Sequence, residues 1–260
     1  MSVKARAVAV GVLTAPLGLL SPVATVASGS PKRAASAAAP IVRSMVVGVG
    51  GTILSPAREV SASAVSVRVG ARSCAVAAAT PLAVLVAVRS TGGPGIALRD
   101  YGHCGASPVN SGQLFVYSLG GERNRGQDGW EYKVGGVAGS TGAADTSGPR
   151  GDGRRLRAGE QVLWFWCTAH AGGCQRTLEL SSAAAAGPGG GAVAVTVRGR
   201  DNEGRGAPVA GAIVKLGADF ASTDSAGHAT LIAPAQPGGY QLTATRRGLV
   251  PAFPGTVVVR

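Results

Sequence analysis

Residues Gly126–Cys174 read GQDGWEYKVGGVAGSTGAADTSGPRGDGRRLRAGEQVLWFWCTAHAGGC, and the reading of this stretch decides the fold. It holds all three tryptophans, Trp130, Trp164 and Trp166, and two of the four cysteines. Two strand patterns, GWEYKV and QVLWFW, flank a long loop rich in Gly, Ser and basic residues. Trp130 and Tyr132 share a parity on the first strand, as Trp164 and Trp166 do on the second, so each pair faces one side of its sheet. Such a set forms either a core or cross-strand aromatic cluster, or an exposed face that stacks on a planar ligand or a sugar. Trp130, Tyr132, Trp164 and Trp166 are therefore the candidate ligand-binding residues. The loop 135–159 is longer and more polar than a connection needs, and is the candidate binding rim.

Working outward, Ala64–Val69 (AVSVRV) alternates apolar and polar residues as a half-buried strand does. Thr80-Pro81 then opens LAVLVAV, with Thr as an N-cap and Pro at the first helical position. This predicts a helix of about two turns ending before the turn Gly92-Gly93-Pro94-Gly95. Ile96–Tyr101 and Gln113–Leu119 read as further strands. One helix across an antiparallel or mixed sheet is the economical α+β solution. In an exported chain four cysteines favour two disulfides. Cys74–Cys104 and Cys167–Cys174 is the pairing in which each bridge closes a loop within the module. The alternative is a zinc site using Cys167-x2-His170-x3-Cys174 with His103 and Cys104, but that spacing is not a standard knuckle. No metal or cofactor is expected.

Downstream, Ser181–Gly191 (SSAAAAGPGGG) reads as a flexible linker. After it come five short strand patterns at 193–197, 212–216, 228–232, 240–244 and 256–259, with turn clusters between them. That spacing predicts a small all-β sandwich over 192–260. At the other end, Lys4 and Arg6 precede an uncharged apolar run, Ala7–Ala27, which is the layout of a secretory signal cleaved after Ala27. An uncleaved anchor is the alternative, weakened by Pro16 and Pro22. Residues 28–62 read as a linker without fixed structure. Ile41–Leu54 within it is a second apolar stretch, too short and glycine-rich to span a membrane, and would be the true signal if translation began later than Met1.

At 260 residues the chain has room for about two domains. Lys and Arg number 25 against 13 Asp and Glu, a net charge of +12. This fits a soluble arginine-rich surface with weak association to anionic cell-surface polymers. Nucleic acid is excluded as a partner, because the basic residues are scattered and not interleaved with aromatic stacking platforms. His103, His170 and His228 sit in no catalytic motif, and neither a nucleophile elbow nor HExxH occurs. Arg150-Gly151-Asp152 is an ordinary Gly/Asp turn.

Two resemblances follow from quoted residues. Gly129-Trp130-Glu131-Tyr132-Lys133-Val134-Gly135, a variable loop, then Leu156-x2-Gly159-Glu160-x-Val162-x-Trp164 resembles a family of bacterial surface domains similar to the C-terminal domain of transcobalamin. Gly135 stands where that family often has Asn, and Glu160 where it has Asp. The resemblance covers about residues 64–168 and implies a β-grasp-like fold and non-enzymatic binding. Cobalamin-like ligands are one option, not carried over because of the Asn departure. Val195-Thr196-Val197 through Gly238-Gly239-Tyr240-x-Leu242-x-Ala244 is similar to carboxypeptidase-regulatory-like, prealbumin-like and immunoglobulin-like sandwiches, implying a spacer or adhesion module. The expected architecture is thus α+β and all-β: a β-grasp-like, disulfide-bonded domain over 63–180, then a small prealbumin/Ig-like β-sandwich. The expected role is an exported monomer, secreted or held at the envelope, that binds a small ligand or envelope glycan; a purely structural or adhesive surface protein is the alternative.

Overall fold

Ile41–Val47 (β1), with the sequence IVRSMVV, is an inner strand of a five-stranded sheet in the computed structural model, which describes residues 38–182, 186–187 and 189–260. Val42, Met45, Val46 and Val47 are all essentially inaccessible to solvent. The expectation of an unstructured linker over 28–62 is therefore corrected for its described part. β1 turns at Gly48–Thr52 and returns antiparallel as Ile53–Ser61 (β2). Shortness and glycines make Ile41–Leu54 a poor membrane-spanning helix. In a hairpin the same glycines supply the turn, with Gly50 and Gly51 at positive φ, where L side chains are disfavoured. The expected signal peptide (1–27) and residues 28–37 lie outside the described residues.

From β2 the chain makes the hairpin Val65–Val69 (β3) and Arg72–Val76 (β4), then the helix Pro81–Ser90 (α1). Thr80 Oγ1 accepts from the Ala83 amide at 3.3 Å, so the N-cap is made by the side chain the sequence offers for it. The helix buries Leu82, Val84, Leu85 and Val88 against β1, β2 and Gln161–Cys167 (β10), each worth about 1.5–3 kcal/mol of apolar burial. A separate three-stranded sheet follows, from Ile96–Asp100 (β5), Leu114–Leu119 (β6) and Glu122–Arg123 (β7). Gly129–Val134 (β8) and Val137–Ala138 (β9) complete the first sheet, in the order β2-β1-β10-β8-β9. β1 and β10 run parallel, and every other pair in the sheet is antiparallel.

The strip Ala169–His170 (β11) and Gly173–Cys174 (β12) leads directly into the second module. Thr177–Ser182 (β13) pairs with Ala192–Arg200 (β15), and β15 also pairs with Gly206–Pro208 (β16) and His228–Ile232 (β19). The facing sheet runs Ala186–Gly187 (β14), Gly255–Val259 (β21), Gly238–Thr245 (β20), Ile213–Leu216 (β17) and Asp219–Ser222 (β18). Val193, Val195 and Val197 meet Leu216, Leu231, Leu242 and Val257 between the sheets, so the module is a β-sandwich. The expected flexible linker at 181–191 is a second correction: Ser181 and Ser182 pair with Thr196 and Val195, and Gly187 pairs with Val259. Residues 183–185 and 188 lie outside the described residues.

The placement of β1 generates a direct prediction. A chain beginning at residue 63 loses both strands of the first hairpin, including Val42 and Val46 from the core. We expect it to lack the sharp near-ultraviolet dichroism and dispersed methyl resonances of a chain beginning at residue 38. Native-like spectra from the shorter chain would show that β1 is dispensable.

Candidate functional site

The register of the first sheet sorts its side chains into two faces. β8 and β10 place Trp130 opposite Trp166, Tyr132 opposite Trp164 and Val134 opposite Val162, all towards α1. Lys133 opposite Leu163, together with Phe165, Met45 and Val47, points to the other side.

Trp130, Tyr132, Trp164 and Trp166 are 4%, 5%, 1% and 3% exposed, so of the two arrangements open from sequence the structure adopts the core, and these candidate ligand-binding residues present no exposed face. Trp130 and Trp166 meet edge-to-face at 5.8 Å, and Tyr132 and Trp164 tilt together at 5.4 Å. The Trp130 indole donates to the Glu122 carbonyl at 2.9 Å, and the Tyr132 hydroxyl donates to the Thr141 carbonyl at 2.9 Å. No room is left beside Tyr132: a Cβ at Gly139 would lie 2.0 Å from its ring. The loop 135–159 is likewise not an open rim. It carries Ala143, Ala144 and Leu156 into the core and ties to α1 and its approach through Leu82 N to Ala143 O and Leu156 N to Ala79 O. Its length serves to close the end of the core. Asp152 of the Arg-Gly-Asp turn accepts from the Arg154 amide.

The other face of the sheet is covered by the second module. Met45, Val47, Leu163 and Phe165 pack with Val250, and Phe253 lies beside them. Arg43 reaches out of β1 with its guanidinium 5.6 Å from the Phe253 ring centre and donates to the Pro254 carbonyl. Lys133 is 1% exposed and donates from Nζ to Thr177 Oγ1 at 3.2 Å, Arg200 O at 3.1 Å and Asp201 O at 2.8 Å. An ammonium has three N–H donors, and all three are used across the module boundary. The chain makes that crossing through Gln175 and Arg176, with Val250 N donating to Arg176 O and Leu178 N to Val250 O. Sequence reasoning missed this junction. Its signal was VLWFWC at 162–167, an unbroken apolar run, which marks a strand buried on both faces.

The remaining candidates are quickly placed. Disulfides join Cys74 to Cys104 and Cys167 to Cys174, which removes these thiols from any zinc set. Among the described residues no cluster of three metal-ligating side chains forms. His103, His170 and His228 are exposed, and the one ring contact among them is His170 Nδ1 to the Ala171 carbonyl. Beside Lys133, a cleft of about 400 Å³ opens between the modules, walled partly by the Arg200–Glu179 ion pair.

No family model matches the chain, and no curated protein matches it. Among solved structures it is similar to the D00-D0 domain of intimin, at 16% identity over 56% of this chain and 90% of that one, with a TM-score of 0.24. That likeness is too low to bear on fold or role.

Lys133 makes the junction pH-dependent. Burial pushes its ammonium down to about 8, against an opposing pull from Asp201 and Glu203. Unfolded lysine titrates near 10.4. Between about pH 8 and 10 the unfolded chain therefore binds more protons than the folded one, and stability rises with pH across that window. Burial also pushes the Tyr132 phenol up, so its ionisation opposes the trend only at higher pH. Urea unfolding should show wild type gaining about 2 kcal/mol relative to Lys133→Met between about pH 7.5 and 9.5. Parallel pH profiles for the two proteins would rule out a depressed lysine.

Proposed function

We propose that the chain is an exported, non-catalytic structural element of the envelope or extracellular space, in which two β-rich modules are docked as one rigid body. The observation that carries this reading is the two-sided burial of the first sheet, by its own helix on one face and by the sandwich on the other. Such a sheet has no free aromatic face to offer a ligand, and a junction with its lysine fully bonded resists bending. Two disulfides in the first module favour an oxidising compartment. The net charge of +12 fits weak attraction to anionic surface polymers.

In the same reading, the first module is a β-grasp-like domain of the transcobalamin C-terminal-like kind. A hairpin, a crossing helix and a parallel pair inside an otherwise antiparallel sheet support that assignment. The second is a prealbumin- or immunoglobulin-like sandwich acting as a spacer. Of the two roles the sequence left open, burial of the tryptophans favours the structural or adhesive one over small-ligand binding.

Titrating the whole chain with corrinoids, porphyrins and envelope glycans tests the choice through tryptophan emission. The structural reading expects emission unchanged by every ligand. A saturable shift with any one of them overturns it in favour of a binding module.

A further inference from the structure

The core of the first module is left incompletely covered at one place. β3 pairs with β4 and β5 pairs with β6, but the outer edges of β3 and β5 face each other without a backbone partner among the described residues. Between them lies a groove of about 470 Å³ whose floor is Val67, Val86, Ile96 and Leu98. All four are half-buried and rest directly on the core beneath. Among the described residues no element lies over them.

The rim is polar and of one sign. Arg68 on β3 and Arg89 in the last turn of α1 both line the groove, both are exposed, and neither joins an ion pair among the described residues. The nearby carboxylate of Asp100 is already engaged by Arg72 and by the amides of Gly102 and Cys104. The carbonyls of the last helical turn are met by the amides of Thr91, Gly92 and Gly93, so they leave the arginines unengaged. No acidic side chain lines the groove.

An unpaired edge asks for backbone N–H and C=O groups, which a sugar or lipid does not present in strand register. Alternation along a strand sends every second side chain down to the floor and the others up to the rim. Apolar residues suit the floor and carboxylates suit the arginines. We propose that the groove between β3 and β5 is a docking slot for an extended acidic segment of a partner protein. The segment pairs with a free edge, covers Val67, Val86, Ile96 and Leu98, and sets its carboxylates against Arg68 and Arg89. Five residues of strand, roughly 17 Å, match the length of β3 or β5. The chain's own 28–37 does not fit by charge, since it carries Lys32 and Arg33 and no acid. The groove lies wholly within the first module, so its occupancy is independent of how the modules dock.

Fluorescence anisotropy on the full chain tests this with a labelled probe peptide alternating valine and aspartate. The expected result is saturable binding that weakens about tenfold or more in Arg68→Glu/Arg89→Glu, two exposed changes that leave circular dichroism intact. A probe with alternate backbone nitrogens methylated should not bind, and this arm needs no protein variant. A probe with lysine for aspartate should also fail. No saturable binding of the acidic probe overturns the proposal, as does equal binding of the methylated or lysine probe, or of the variant. Arginine-dependent sedimentation with phosphatidylglycerol vesicles, without peptide binding, would reassign the groove to lipid and overturn it too.

Discussion

Everything in this molecule depends on β10 and its neighbours being buried on both faces. Val162, Trp164 and Trp166 point into the helix-side core, while Leu163, Phe165 and Cys167 point to the sandwich. β1 repeats the pattern, with Val42 and Val46 inward and Met45 and Val47 outward. A sheet apolar on both sides must be covered twice, since leaving either face in water forfeits about 25 cal/mol for each Å² of apolar surface. The helix supplies one cover. The second module is the other, which makes its position a requirement of the first module's own sequence.

The junction is therefore specified by chemistry as well as by the short crossing at Gln175 and Arg176. Lys133 would be a costly residue on an apolar face were its donors not all taken by oxygens of the second module. Separation of the modules leaves three oxygens and an ammonium to find water, and exposes Phe165 and Met45 with them. Arg43 adds a second tie to the loop carrying Phe253 and Pro254. Polar groups inside an apolar seam fix which docking is adopted, because a slipped arrangement strands them unpaired.

What was legible from sequence follows from how local each signal is. The helix cap at Thr80-Pro81 and the alternation of Val65, Val67 and Val69 are written in adjacent residues, and the strands of the sandwich are marked by turns at close intervals. The hairpin at 41–61 was not legible. Its apolar run and glycines carry a membrane-like signature, and its parallel pairing with β10 spans over a hundred residues of chain. The aromatic positions were correctly assigned a common face, but parity does not say whether a face meets solvent or a helix. That is decided by the odd-numbered partners, Leu163 and Phe165, whose presence beside the tryptophans leaves no polar side to the strand. Nothing in the residues next to Lys133 names its partners, and only the positions of Thr177, Arg200 and Asp201 show that they lie in the other module.

Scanning calorimetry of the intact, oxidised chain tests the shared sheet most directly. If the sandwich is the second cover of the first sheet, neither module unfolds alone, and one transition is expected with calorimetric and van't Hoff enthalpies in agreement. Two separated transitions, each matching the heat of one module, would contradict a common core and leave the modules as independent beads.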